Sequence, residues 1–423
     1  MIRAATSRLA CALACCWFVP AMAAGGKVLA GDLLYGLPPE PEVRAVLANL
    51  PAVRISGLNR ELAGAERDKL AAGSAEWTVR AGASQRRVLD QERYREQEVL
   101  VERSFRWFGK AGQDRAIGAR GIALADAARA DAWHEAARAL MRDWYGLLRA
   151  EAAVDLLRRQ QGVLQDVVAA TARRVEAGDA ARLDLMQAET EAGRAAALLE
   201  QAELQRRKAE SALAAGYPGL PAARARGADA LPLPQAPDTG RSALLDRIMD
   251  DNHELALARE EAELLRLKAA RAAAERMPDP AIALRSTRER GGQERTFGVM
   301  LSFTLPGGAR SAEGTAARLR ADMAQERSAQ ARTRVALAAQ QAVDEQEASL
   351  RIWQSLAGAA DRSRLQAELM DKAYRNGECP IGEALLSRRQ ALDASLAALT
   401  ARIDALAAQA RVQLDSHALW SYD

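Results

Sequence analysis

Two stretches decide the fold: "RRVEAGDAARLDLMQAETE", Arg173–Glu191, and "KAYRNGECPIGEALLSRRQ", Lys372–Gln390. Each interrupts a long run of helix formers with a glycine and an acidic residue, Gly178-Asp179 and Gly377-Glu378. Each restarts with a carboxylate six residues past its glycine, Asp184 or Glu383. The glycines lie 199 residues apart, Gly178 to Gly377, so the chain reads as an internal duplication of helix, turn and helix.

Proline placement supports this reading, because a proline inside a helix removes a backbone donor and clashes with the preceding turn. All 14 prolines fall in the N-terminal segment up to Pro51, in Pro218–Pro237, at Pro278 and Pro280, at Pro306 and at Pro380. None lies between Ala52 and Tyr217 or between Gly307 and Cys379. Pro380 follows the second glycine by three residues, where it can open a helix without losing a needed bond.

With 423 residues but only 4% aromatic, the chain favours long helices over a compact core. Its net charge is +3, with both signs interleaved, which gives nucleic-acid binding no electrostatic support. The first 24 residues read as an export signal: Arg3 and Arg8, an apolar stretch Leu9–Val19, and small residues suited to cleavage near Ala23 or Ala24. Three of the four cysteines, Cys11, Cys15 and Cys16, leave with that segment, so no intrachain disulfide is expected and Cys379 stays as a lone thiol. No further stretch approaches the ~20 consecutive apolar residues of a membrane-crossing helix. Any spanning must be done by strands.

The chain divides into the signal (1–24), a first repeat (25–215), a Pro/Gly-rich linker (216–241), a second repeat (242–416) and a tail (417–423). An irregular lead-in runs to Pro51, and Ala52–Ala72 is predicted helical. Two extended segments follow, Trp77–Val88 and Glu98–Phe108, both alternating apolar and polar as in an outer-membrane barrel strand. Gln113–Ala177 is predicted as one helix, roughly 100 Å long at 1.5 Å per residue. Its larger apolar residues recur as a narrow coiled-coil seam rather than a broad stripe. After Gly178 a helix runs to Ala215. The second repeat follows the same plan, with a helix Ser242–Arg276, strands Ala281–Thr287 and Thr296–Leu305, a helix Glu313–Asn376 and a last helix from Ile381 to about Ser416.

Four strands cannot close a barrel, and open sheet edges are not tolerated in lipid. Two copies would supply eight strands and three would supply twelve, and only the larger number leaves a water-filled lumen. A homotrimer is expected.

On the two tip motifs and the "FTLPGGARSAEGTAARLRA" segment, Phe303–Ala321, the chain resembles the TolC-like outer-membrane efflux proteins across the whole mature sequence. The resemblance implies a mainly α fold with a membrane β-barrel. Internally duplicated coiled-coil helices would form a periplasmic tunnel, and each chain would give four strands to a trimeric twelve-stranded barrel. It implies the exit duct of a tripartite pump in the outer membrane of a Gram-negative bacterium, partnered by a periplasmic adaptor and a proton-driven inner-membrane pump. The short strand loops resemble the heavy-metal and small-molecule branch. By the same resemblance Gly178, Asp179, Arg182, Leu183, Gly377, Glu378 and Ile381 meet the adaptor, while Asp184, Glu383 and Tyr374 line the tunnel entrance. A further acidic residue of the family's constriction is replaced here by Leu386.

The sequence holds no phosphate loop, dinucleotide fingerprint or catalytic triad spacing, so neither enzyme activity nor a cofactor is indicated. His134, His253 and His417 have no second ligand at i+3 or i+4, and the spacing offers no metal site. Two alternatives carry their own discriminants. A duct for one-step protein or peptide secretion would be paired with an ATP-hydrolysing exporter, and an exported coiled-coil structural protein would be all helix and free of detergent dependence.

Overall fold

The computed structural model describes residues 36–87, 89, 93–220 and 231–422. The export signal, Val88 and the middle of the linker lie outside the described residues.

The lead-in, expected to be irregular, contains a helix, α1 (Glu40–Asn49). Pro39 and Pro41 stand at its start, where a missing N–H costs nothing, and Val43, Val46 and Leu47 pin it to the core. Helix α2 (Pro51–Ala72) leads to strands β1 (Trp77–Arg87) and β2 (Arg93–Ser104), then to α3 (Lys110–Glu176) and α4 (Arg182–Gly216). The second half opens with α5 (Arg241–Asp250) and α6 (His253–Ala274), continues with strands β3 (Ala281–Glu289) and β4 (Glu294–Ser302), and ends with α7 (Gly308–Arg375) and α8 (Ile381–Asp415). The single helix expected over Ser242–Arg276 is therefore two. Asn252 breaks it by capping α6, its side-chain oxygen accepting from the Leu255 N–H at 3.0 Å.

The long helices match in pairs, 67 residues in α3 against 68 in α7, and 35 in each of α4 and α8. Their seams are built from small residues. Ala317, Ala324 and Ala331 of α7 recur every seventh position and are buried, which lets long helices run side by side with a narrow contact. The main core is a belt at mid-length of α3, where Trp133, Leu140, Met141, Trp144 and Tyr145 meet Ile403, Leu406, Ala410 and Leu414 of α8. The C-terminal tail closes this belt, with Trp420 buried and its carbonyl accepting from the Trp133 indole N–H at 3.0 Å.

The four strands form one antiparallel sheet in the order β1-β2-β3-β4. Two strand limits differ from expectation for one reason. Ser104 pairs with Ala281 and Ala281 pairs with Ser302, so the ladder stops where Pro280 enters β3. Phe105–Phe108 and Phe303–Leu305 therefore fall outside the strands, and β2 instead extends back to Arg93 opposite Arg87. The register puts Trp77, Val79 and Ala81, then Val99 and Val101, then Ile282 and Leu284, then Phe297, Val299 and Leu301 on one face. The opposite face carries Arg80, Glu98, Glu102 and Arg285, with Arg285 Nε 2.7 Å from Glu98 Oε1. The apolar face is exposed, Phe297 being 72% accessible and Val79 65%, and Arg80 and Arg285 of the opposite face are exposed as well. Nothing in the chain pairs with the outer edge of β1 or of β4 among the described residues.

A charge cluster joins sheet to helices. Lys110, buried at the start of α3, reaches Asp279 at 2.8 Å and Glu275 at 3.2 Å. Asp114, one turn on, takes Arg106 at 2.9 Å and Arg271 at 2.6 Å. Asp279 also accepts the Trp107 backbone N–H at 2.8 Å.

Candidate functional site: the paired helical tips

Both tip turns are Schellman motifs. In the first, Gly178 N–H donates to Val175 O at 3.0 Å and Asp179 N–H to Arg174 O at 2.8 Å. In the second, Gly377 N–H donates to Tyr374 O at 3.0 Å and Glu378 N–H to Ala373 O at 2.9 Å. The glycines adopt φ of 80° and 77°, the left-handed conformation that a side chain disfavours. Open space surrounds both of them, so backbone conformation rather than crowding selects glycine.

The helices restart at Ala181 and Pro380 as N-caps. Asp184 and Glu383 then occupy the same position in the first turn, where a carboxylate complements the helix dipole. Asp184 is half-buried and Glu383 exposed. Asp179, Arg182, Leu183 and Glu378 are exposed, Leu183 at 62%.

Ile381 departs from its expected place in the contact set. It is 2% accessible and packs with Leu164, Ala188 and Leu385 in the seam joining the two hairpins. The side chain packs inside the chain, and the next residue, Gly382, faces Gln187 of α4. A Cβ there would meet Gln187 Oε1 at 3.3 Å.

Tyr374 lies half-buried beside that seam, with the Arg174 guanidinium 5.3 Å from its ring centroid. Its hydroxyl is buried and makes no hydrogen bond within the described residues. Tyr374, Arg174, Asp179, Asp371 and Arg388 line an open groove of about 660 Å³ between α3 and α7, with Arg388 paired to Asp371. Cys379, a half-buried thiol, contacts Met370 O at 3.6 Å. Desolvation pushes its pKa up, and the charges of Glu383, Glu378 and Asp371 add to the shift.

The structure corrects the reading of the histidines. His134 of α3, His253 at the first position of α6 and His417 just past α8 come together, with ring centroids 4.6–5.7 Å apart. Each presents a nitrogen within 4.8 Å of the others. Their separation in sequence hid this, since local i+3 and i+4 spacing detects only ligands on one helix.

No helix among the described residues is long and apolar enough to cross a membrane. No family model matches the chain, and no curated protein matches it in sequence. Solved structures do match in fold. The outer membrane protein VceC of Vibrio cholerae superposes with a TM-score of 0.72 at 15% identity, over 89% of this chain and 95% of its own. The outer-membrane channel OprN gives 0.74 at 19% identity, over 92% and 93%. The open state of the Neisseria gonorrhoeae MtrE outer membrane channel gives 0.65 at 18% identity, over 89% and 88%. Together with the twice-run element order and the paired tips, these matches give the chain the fold of the TolC-like outer-membrane channels.

Proposed function

We propose that the protein is the outer-membrane exit duct of a tripartite efflux pump, assembled as a homotrimer and conducting small molecules or metal ions passively. The observation that carries this reading is the sheet. One of its faces is apolar and exposed, the other is charged, and both edges lack partners among the described residues. Edges of that kind are satisfied in lipid only by closure with further copies. Three copies give twelve strands around a wet lumen lined by Arg80, Glu98, Glu102 and Arg285. A nine-residue strand such as β3, tilted ~40°, covers roughly 23 Å along the membrane normal, close to the apolar band of an outer-membrane barrel. Helices α3 and α7 then reach roughly 100 Å into the periplasm.

In this assembly the exposed residues of the tips, Asp179, Arg182, Leu183 and Glu378, dock the helical hairpins of a periplasmic adaptor fed by a proton-driven inner-membrane pump. Gly178 and Gly377 shape those ends. Asp184 and Glu383 supply carboxylates to the entrance, and the unpartnered Tyr374 hydroxyl is free to bond across to a neighbouring protomer. The chain acts as a conduit and performs no catalysis.

Planar-bilayer recording of the purified protein, combined with crosslinking to count subunits, tests the reading. Discrete conductance from a three-subunit species supports it, and a protein that stays in aqueous solution without detergent and forms no pore overturns it. Within a conducting duct, Asp184→Ala with Glu383→Ala is expected to weaken cation preference. Unaltered ion selectivity would remove these two residues from the entrance.

A further inference from the structure

We propose that His134, His253 and His417 bind a divalent transition-metal ion of the zinc and copper class, which clamps α3 of the first repeat to α6 and the C-terminal tail. The site lies in the helical belt. Counting 1.5 Å per residue, it is roughly 36 Å from the sheet end of α3 and roughly 63 Å from the tip.

Imidazole nitrogen suits zinc, copper and nickel, and three imidazoles with an open fourth position form a recurrent zinc arrangement. The three ligand nitrogens already lie within 4.8 Å of one another. A tetrahedral ion with metal–nitrogen bonds of about 2.0–2.1 Å would hold them about 3.4 Å apart, so small side-chain rotations close the set. His134 is buried, whereas His253 and His417 are half-buried, so the set is partly open to solvent.

Two independent features point the same way. His134 Nε2 lies 3.3 Å from Asp415 Oδ1, and Asp415 is held in turn by Arg138 Nε at 2.9 Å. A histidine that donates one ring N–H to a fixed carboxylate keeps the lone pair of its other nitrogen, here Nδ1, for a metal. His417 sits at φ 57°, the left-handed position after a helix that glycine usually fills. The tail thus adopts an uncommon conformation at the residue that completes the set. Asp131 lies near enough to His134 to be electrostatically coupled to it, a neighbouring carboxylate that favours an added positive charge, while Glu135 is paired with Arg138 and Glu254 with Arg334. Arg138, the nearby cation, is engaged by Asp415 and Glu135.

The test uses the full chain without a polyhistidine tag, purified in detergent and stripped with chelator, then titrated with Zn²⁺ alone. One ion per chain is expected at micromolar concentration, with a higher thermal midpoint. His253→Gln with His417→Gln should weaken binding at least tenfold and abolish the metal-induced rise, measured against the variant's own metal-free midpoint. Equal binding by the double variant, or no wild-type binding below millimolar Zn²⁺, overturns the proposal. Should the double variant fail to fold, Co²⁺ added to the wild type decides instead. The visible bands of four-coordinate, nitrogen-ligated cobalt support the site, and a spectrum of hydrated cobalt alone overturns it.

Discussion

The two tips share a backbone and differ in what they bury. Each ends in the same Schellman turn and restarts with a carboxylate at the same helical position. At the first tip Leu183 and Met186 face outward. At the second the equivalent positions are Gly382 and Leu385, and Leu385 is buried beside Ile381. Duplication supplied the geometry, and divergence assigned one copy to a surface and the other to a seam. The first tip thus exposes Leu183 and Met186 where the second has a glycine and a buried leucine.

The sharpest way to break this contrast is to place a charge at each tip. Ile381→Asp should cost more than about 4 kcal/mol, because it buries an unpaired carboxylate, whereas Leu183→Asp should stay within about 0.5 kcal/mol. Hydrogen exchange along α8 and α4 would report the difference, and equal protection in the two variants would dissolve the distinction between seam and surface.

Further up the hairpins the halves differ in charge. Glu151 in α3 is buried, and that desolvation, with the Glu210 charge adding to it and Arg206 opposing, raises its pKa from 4.5 to about 7. At the corresponding offset the second hairpin carries Leu350 and Gln409, which do not ionise. A carboxyl whose folded pKa is raised holds its proton more tightly when native, so stability falls as pH climbs from about 4.5 to about 7 and is flat above. Glu151→Gln should gain up to about 3 kcal/mol at pH 8 and almost nothing at pH 4. Thermal midpoints across that window check it, and a pH-independent gain would trace to packing instead.

Replacing either tip glycine tests what the copies share. Gly178→Ala and Gly377→Ala should each cost about 1 kcal/mol, since both adopt left-handed φ with no neighbour to clash. A markedly unequal pair of losses would show that the turns are not equivalent. The smallest effect is expected from Tyr374→Phe, close to zero in chain stability because the hydroxyl bonds to nothing within the described residues. In bilayers the same change should raise leak current if the hydroxyl bridges protomers.

Much of the architecture was legible in the sequence because its signals are local. A proline-free run gives a long helix, a glycine before an acidic residue ends it, and alternation marks β4. The alternation did not reveal where pairing stops, because that depends on Pro280 standing just before Ala281, the residue opposite Ser104 and Ser302 across the sheet. The split between α5 and α6 rested on a single cap, Asn252, inside a region of strong helix formers. For the tips, glycine and carboxylate positions were readable. The burial of Ile381 was not, because it depends on how α8 meets α4. The histidine cluster was invisible for a stronger reason: it joins three segments brought together only by the completed belt.

The unpaired edges of the sheet have a genetic consequence. In the proposed trimer, a barrel that closes only when every copy contributes its four strands has no tolerance for a defective member. In a threefold assembly with equal supplies of sound and edge-damaged chains, roughly one assembly in eight would contain sound chains alone. A charge-bearing edge allele, such as Val299→Asp, should therefore act dominantly, poisoning assemblies made with intact chains, whereas an allele that abolishes the protein should be recessive.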